Sequence, residues 1–328
     1  MDLITHGVTG ALMARAAFDG QARDAATAAL TLGALFPDFD VALLLRGRYA
    51  YLTGHRGLTH SFIGIPLFAP ALAGLLYAFG PPGGFGFYLA LVVLGMILHI
   101  FYDLITSWGT MILAPFTDRK FSWGLISFRN YPFVLTLWVS LAVSFFLDSA
   151  WSRALCGAAM TTSFCMIAVA TLSRRVARNR FEAALARDGI RVDRIEGFPA
   201  GSRILGWSMF AESDGAFWHC YVGPARRGPL RVRSVSKPPA NDFIEAALRL
   251  SPVRFYMEVT SFVRRTYRRE GDLHVVTFSN ARFDFRRPAP GGLLPGEGAR
   301  VVFDDARRVK EAVVYGIPVP IAGWTAAE

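Results

Sequence analysis

Cysteine is scarce in this 328-residue chain, with three in all: Cys156 and Cys165 lie in an apolar segment and Cys220 stands alone. That scarcity excludes a disulfide framework and a cysteine-based zinc motif. The first residues, Met1-Asp2-Leu3, carry no basic stretch before an apolar one, and no small-residue cleavage site follows, so a cleaved leader is not expected. No internal repeat or low-complexity tract appears. Histidine is also sparse at six residues, yet four of the six fall within the first 99 positions.

Charge is what the first half lacks. Nine basic and eight acidic residues precede Ser173; the remaining 26 and 17 follow it. The chain is 53% hydrophobic and 18% charged, and its +10 net charge is carried almost wholly by the second half. An oily, neutral half followed by a basic half reads as a membrane domain followed by a soluble one. A basic surface suits nucleic acid or anionic headgroups alike, but a chain already in the bilayer favours membrane lipids, and no nucleic-acid partner is expected.

The expected fold is an all-α polytopic membrane bundle over residues 1–173, a basic connecting helix over 174–189, and a smaller α+β cytoplasmic domain over 190–328. Two short apolar segments, 3–18 and 25–36, flank a turn at Phe18–Asp24, and Pro37 predicts a helix end or irregular turn at Phe36–Asp40. Four spans are expected at 62–79, 86–106, 132–147 and 154–172. Loops 46–56, 114–131 and 173–180 each hold at least three Lys or Arg, whereas 19–24, 80–85 and 148–153 hold one or none. The positive-inside rule therefore puts the first set, and the C-terminal half, in the cytoplasm. Downstream, strands are predicted at 203–210, 217–222, 230–235, 273–280, 282–286 and 300–303, with helices at 243–250 and 253–267.

On this topology His6, Asp38, Asp40, His55, His60, His99 and Asp103 all fall at one membrane face. His99 and Asp103 are four apart on one helix, so both side chains share a face. A carboxylate within a span is costly unless paired or metal-bound. His55 and His60 lie about 140° apart on an ideal helix, so His55 must sit on a preceding loop, and Gly57 permits the bend. One histidine on an apolar face is ordinarily a satisfied interior residue, and Asp38 and Asp40 alone would read as turn residues. Together the seven exceed what one tetrahedral ion needs, which points to one or two divalent ions, zinc first. Such a site supplies hydroxide at neutral pH, and a nearby carboxylate, Asp40, takes a proton or adds a ligand. Arg56, Thr59, Ser61, Thr106 and Ser107 are the residues that could hold an anionic ester oxygen, orient ligands, or merely cap helices.

The motifs His6, Gly33-Ala34-Leu35-Phe36-Pro37-Asp38-Phe39-Asp40, His55-Arg56-Gly57-Leu58-Thr59-His60-Ser61 and His99-x-x-x-Asp103 with Thr106–Thr110 resemble the signature of the YdjM-like family of inner-membrane proteins, classed as metal-dependent hydrolases. The likeness covers residues 1 to about 130, and Leu205–Tyr221 resembles the soluble tail of longer members. The family is in turn distantly similar to the zinc-dependent phospholipase C and P1 nuclease group, which cleaves phosphate esters. No histidine lies between His99 and His219, so the later ligands of that group are missing and one or two ions are implied rather than three. The resemblance implies a metal-dependent hydrolase of the inner membrane acting on an ester or phosphoester of a lipid or lipid-linked substrate. Metal ligands would be His6, Asp38, His55, His60, His99 and Asp103, with Asp40 and Arg56 catalytic. The alternatives are a non-enzymatic membrane protein with a structural metal or His–Asp site, and a metal-ion transporter, which would need a polar route across the bilayer.

Overall fold

The computed structural model describes residues 1–127, 130–201, 204–224, 228–239, 241–282 and 298–319. It resolves into two compact units. The first comprises Met1–Arg46, Gly54–Val176 and Phe198–Trp207; the second comprises Gly47–Thr53, Ala177–Gly197 and the described part of Ser208–Glu328.

The first unit is helical. Helix α1 (Leu3–Ala17) starts at Asp2, whose carboxylate accepts from the Thr5 amide at 2.9 Å. Helix α2 (Gly20–Leu35) ends just before Pro37 as expected, but the chain does not leave helical geometry there. The chain passes into a 3₁₀ helix, Phe36–Arg46, so Gly20–Arg46 forms one helical run long and apolar enough to cross a bilayer. Pro37 stands in the first turn of the 3₁₀ helix, where its missing N–H breaks no bond. Helix α3 (Arg48–Gly54), which apart from Gly54 belongs to the second unit, is followed in the first unit by a turn at His55–Gly57, a 3₁₀ turn at Leu58–His60, and helix α4 (Gly64–Phe79).

Helix α5 (Phe85–Leu104) and α7 (Ser149–Arg187) also meet the spanning criterion. Two expected spans do not. Helix α6 (Tyr131–Ser144) has only 14 residues, ~21 Å against a core of about 30 Å. Helix α4 qualifies only jointly with Arg48–His60, at a 76° bend, giving three spans or up to four among the described residues rather than six segments.

Small residues position this bundle. Ala25, Ala26, Ala29, Leu30 and Ala34 of α2 are buried with Val92, Met96 and Ile100 of α5. A Cβ on Gly33 would lie 2.4 Å from the Val92 carbonyl oxygen, and one on Gly95 2.6 Å from that of Leu30. Such close approach is how helices pack without a hydrophobic drive between them. At the α1–α2 end, Asp19 faces Arg23 at 2.7 Å, Ser149 at 2.7 Å and also Arg153. The two segments read from loop charge as sharing one membrane side are thus joined.

The α7 helix closes at Gly189, in left-handed backbone (φ +70°). Two antiparallel sheets follow, in strand orders β1-β2-β3-β4 and β5-β6-β7-β8-β9. The first contains β1 (Arg194–Pro199), β2 (Trp207–Glu212), β3 (Ala216–Val222) and β4 (Arg233–Ser236). The second contains β5 (Val263–Glu270), β6 (Leu273–Asn280), β7 (Gly298–Phe303), β8 (Val309–Val314) and β9 (Ile317–Pro318). Helices α8 (Asp242–Leu248) and α9 (Ser251–Val259) bury Ile244, Ala247, Val253 and Tyr256 with Val276, Phe278, Val301 and Phe303. Residues 253–267, expected as one helix, end helically at Val259 and continue as β5. Strands β1, β5, β8 and β9 lie beyond those predicted, and the strand expected at 282–286 falls almost wholly outside the described residues.

Candidate metal centre

Four segments of the first unit deliver the site: the start of α1, the 3₁₀ helix after α2, the turn before α4, and the end of α5. At 3.0 residues per turn a 3₁₀ helix sets positions two apart about 120° from each other, so Asp38 and Asp40 serve different neighbours. Asp38 Oδ1 stands 3.4 Å from His60 Nε2 and 3.7 Å from His99 Nε2. Asp40 Oδ1 is 2.8 Å from His55 Nδ1, while its Oδ2 accepts from the Arg56 amide at 2.9 Å.

The corner carrying His55 and His60 bends at Gly57 as expected, with backbone outside the helical and extended regions (φ −89°, ψ −124°), but Gly57 does not act alone. Arg56 itself adopts left-handed backbone (φ +63°). Gly57 is needed for space, since a Cβ there would lie 2.7 Å from the Gly54 carbonyl oxygen. His55 occupies the turn and His60 the 3₁₀ segment, as their angular separation requires.

Hydrogen bonds fix which ring nitrogens are bare. His99 Nδ1 lies 2.6 Å from the Ala34 carbonyl oxygen, which can only accept, so Nδ1 carries the proton. The packing of Gly33 against α5 brings that carbonyl there. His60 Nδ1 lies 3.0 Å from Thr59 Oγ1, which donates onward to Asp40 Oδ2 at 3.4 Å. Asp40 only accepts, so the chain runs His60 N–H to Thr59 O–H to Asp40. Both Nε2 atoms are therefore unprotonated in the neutral rings, and they face each other at 3.0 Å.

Asp103 completes the set. Its Oδ1 is occupied by Arg56 Nη2 at 2.8 Å, His6 Nε2 at 3.2 Å and the Met1 amino group. Its Oδ2 is buried with no hydrogen-bond partner, 3.5 Å from both His60 Nε2 and His99 Nε2. Four acceptor atoms thus converge with no donor supplied. A proton can bridge two of them but not four. A tetrahedral zinc ion with bonds near 2.0–2.1 Å has ligand edges of about 3.3–3.4 Å, and the five edges named run from 3.0 to 3.7 Å. The donor set Asp38, His60, His99 and Asp103 fits a divalent cation.

Asp38, Asp40 and His55 form a second group with suitable spacing. Asp40, however, is already engaged by His55, the Arg56 amide, Thr59 and, at 3.5 Å, His60 Nδ1. His6, expected as a ligand, enters neither group. It stacks on His99 with ring centroids 3.6 Å apart and contacts the already occupied oxygen of Asp103. Arg56 also donates to Thr106 Oγ1 at 3.3 Å, and Ser61 serves as a cap, accepting from the Gly64 amide at 3.0 Å. His60, His99 and Asp103 have fully buried side chains; Asp38 and His55 retain 13% and 18% exposure and mark the open side.

One group was missed by sequence reasoning. Residues 105–126 form a strap bonded to the Leu104 and Ile105 carbonyls and, through the Met111 amide at 2.9 Å, to the Arg56 carbonyl. Lys120 lies on it. Burial holds the Lys120 ammonium down to about 8; Arg56 acts in the same direction and Asp40 opposes. As one of several basic residues in a loop, Lys120 counted only as a topology signal.

Residues 1–179, more than half of the chain, match the family described as YdjM inner membrane protein. The chain belongs to that family. Its membrane localisation follows from this membership together with the apolar helices. Among relatives, the uncharacterized protein YfhP of Bacillus subtilis (strain 168) is 30% identical over 134 residues, 39% of this chain and 41% of that protein. The biotin transporter BioY2 of Lactococcus lactis subsp. cremoris (strain MG1363) is 31% identical over 115 residues, 35% of this chain and 56% of that one. The chain thus spans about half the length of the curated relatives it matches. No solved structure matches it.

Proposed function

We propose that this YdjM family member is a membrane-embedded metal-dependent hydrolase that cleaves an ester or phosphoester of a lipid or lipid-linked substrate at the cytoplasmic face. The observation that carries the reading is the convergence of two bare imidazole nitrogens and two carboxylate oxygens with no donor among them. Asp38, His60, His99 and Asp103 would hold one divalent ion, zinc being the first candidate for this nitrogen and oxygen set. Bound there, such an ion supplies Lewis-acid activation of water and of an ester oxygen.

The remaining roles belong to the chain's own groups. Asp40 orients His55 through the 2.8 Å bond to Nδ1, and His55 takes the proton at its other ring nitrogen and passes it toward the open side. Arg56 and His6 fix the Asp103 carboxylate so that Oδ2 alone faces the cluster. Phe39, Leu58 and Phe62 on the ligand-bearing segments, and Trp108 just beyond α5, are exposed apolar side chains. Such side chains suit an amphiphile entering from the bilayer. The basic second half, with the loop-charge asymmetry, supports a cytoplasmic C-terminal side facing anionic headgroups.

The complete burial of His60, His99 and Asp103 also suits a second reading, a metal that only staples the bundle. Detergent-purified, metal-loaded protein assayed against phospholipid and carboxylic-ester lipid panels separates the two. The hydrolase reading expects turnover that His60→Ala and His99→Ala abolish. Full metal loading with no turnover on either panel would establish the stapling role instead.

A further inference from the structure

We propose that the loop 111–119, with Phe116 at its tip, seats in the lipid of the leaflet that the end of α5 reaches, and so holds the histidine corner at headgroup level. The proposal stands on the membrane location of the chain and does not need the hydrolase reading.

Helix α5 meets the spanning criterion and ends at Leu104, so the strap that starts at Ile105 begins at a membrane face. Within it, Thr110 and Phe121 exchange both backbone hydrogen bonds at 2.9 Å, which closes the neck of a loop over the residues between them. The neck is tied back to α5, the Trp123 amide donating to the Leu104 carbonyl at 2.6 Å and the Leu125 amide to that of Ile105 at 2.7 Å. The first arm is tied to the histidine corner. The Met111 amide donates to the Arg56 carbonyl at 2.9 Å, and the Phe62 amide to that of Ile112 at 3.0 Å. Whatever sets the depth of the loop therefore sets the depth of the segment carrying His55 and His60.

The two arms differ in chemistry. On the first, Leu113, Pro115 and Phe116 are exposed, Phe116 to 80%. Phe62 and Ile63, bound to this arm through the backbone of Phe62, are exposed too, and Leu67, one turn beyond Ile63, carries the row onto α4. The apolar surface is thus continuous from the loop to the outside of an apolar helix, which is the surface that lipid covers in a membrane protein. The same arm keeps backbone donors from lipid, as such a position requires. The Ala114 and Phe116 amides donate to the Met111 and Leu113 carbonyls at 3.0 Å each, and Pro115 has no N–H. The second arm is polar. Thr117 Oγ1 accepts from the Arg119 amide at 3.2 Å, and the Arg119 guanidinium lies 5.2 Å from the centre of the Phe121 ring, with no ion pair among the described residues. An apolar tip beside an exposed cation matches the boundary between acyl chains and anionic headgroups.

The test uses the full chain in vesicles of phosphatidylethanolamine and phosphatidylglycerol. A Cys165→Ser background removes the exposed cysteine, and Cys156 and Cys220 are buried. Phe116→Cys, Leu113→Cys and Asp118→Cys, each made separately, then carry an environment-sensitive NBD fluorophore, and a melting temperature equal to that of the background shows that the loop keeps its fold. Labels at positions 113 and 116 should be quenched several-fold more by lipid spin-labelled high on the acyl chain than by aqueous iodide. The label at position 118, with the same dye on the polar arm, should show the opposite order. Iodide quenching at position 116 as strong as at 118, without quenching by the spin-labelled lipid, overturns the proposal. Protection of position 116 from both quenchers overturns it as well, because protein rather than lipid then covers the tip.

Discussion

Asp40→Asn isolates the outer support of the centre from the ligands themselves. The carboxylate engages four groups: His55 Nδ1 at 2.8 Å, the Arg56 amide at 2.9 Å, Thr59 Oγ1 at 3.4 Å and His60 Nδ1 at 3.5 Å. An asparagine of the same shape has one acceptor oxygen. The amide oxygen must stay on the Arg56 amide, which can only donate, so the NH2 group turns to His55. His55 Nδ1 can meet a donor only by moving its proton to Nε2. The ring then presents an N–H where the proposed mechanism needs a lone pair, while the Thr59–His60 relay is largely kept. Metal affinity should therefore fall by ~10-fold, the lower end for a partner behind a ligand, equivalent to about 1.4 kcal/mol. Turnover at saturating metal should fall further, by roughly 10²–10⁴. Chelator competition reads the first quantity and steady-state hydrolysis the second. Turnover within threefold of wild type at saturating zinc would refute the proton-transfer role, and loss of a whole metal equivalent would make Asp40 a ligand.

Other expectations follow from the surroundings. Gly33→Val must push α5 from α2, because even a Cβ meets the Val92 carbonyl oxygen at 2.4 Å. Overpacking of this kind costs about 1–3 kcal/mol, and it should also weaken zinc binding by pulling the Ala34 carbonyl from His99; unchanged melting temperature and zinc affinity would deny that link. In the first sheet, burial and then Arg233, its cross-strand neighbour, hold His219 down to about 4. The folded state thus binds fewer protons than the unfolded one between about 6.5 and 4. Stability should be lost as pH falls through that window, less steeply in His219→Gln, and equal slopes in denaturant titrations would exclude it.

Much of the centre was legible because polar residues in apolar segments are expensive and stand out. Asp38, His60, His99 and Asp103 could be placed at one membrane end from loop charge alone, and their side chains do converge. What resisted was everything set by tertiary contact. The partner that fixes His99 is a backbone carbonyl, and it reaches the ring only because Gly33 and Gly95 lack side chains. His6 looked like a ligand by type, yet stacking on His99 places it behind the cluster. Pro37 correctly marked the end of the α-helix at Leu35, but not that the chain would continue as an 11-residue 3₁₀ helix. Strand β5, Val263–Glu270, hid from periodicity because it is an edge strand dense in arginine, with little apolar alternation to detect. Helix α6 was apolar enough for a span but too short to be one.

Metal stoichiometry tests the central claim most directly. Detergent-purified protein, equilibrated with zinc and freed of excess, should retain about one tightly held equivalent per chain by elemental analysis, as a four-ligand site requires. His60→Ala combined with His99→Ala should lose it while the bundle still purifies as a folded protein. Wild type that retains no zinc, or a double variant that retains it fully, would contradict the assignment of Asp38, His60, His99 and Asp103 as the ligands.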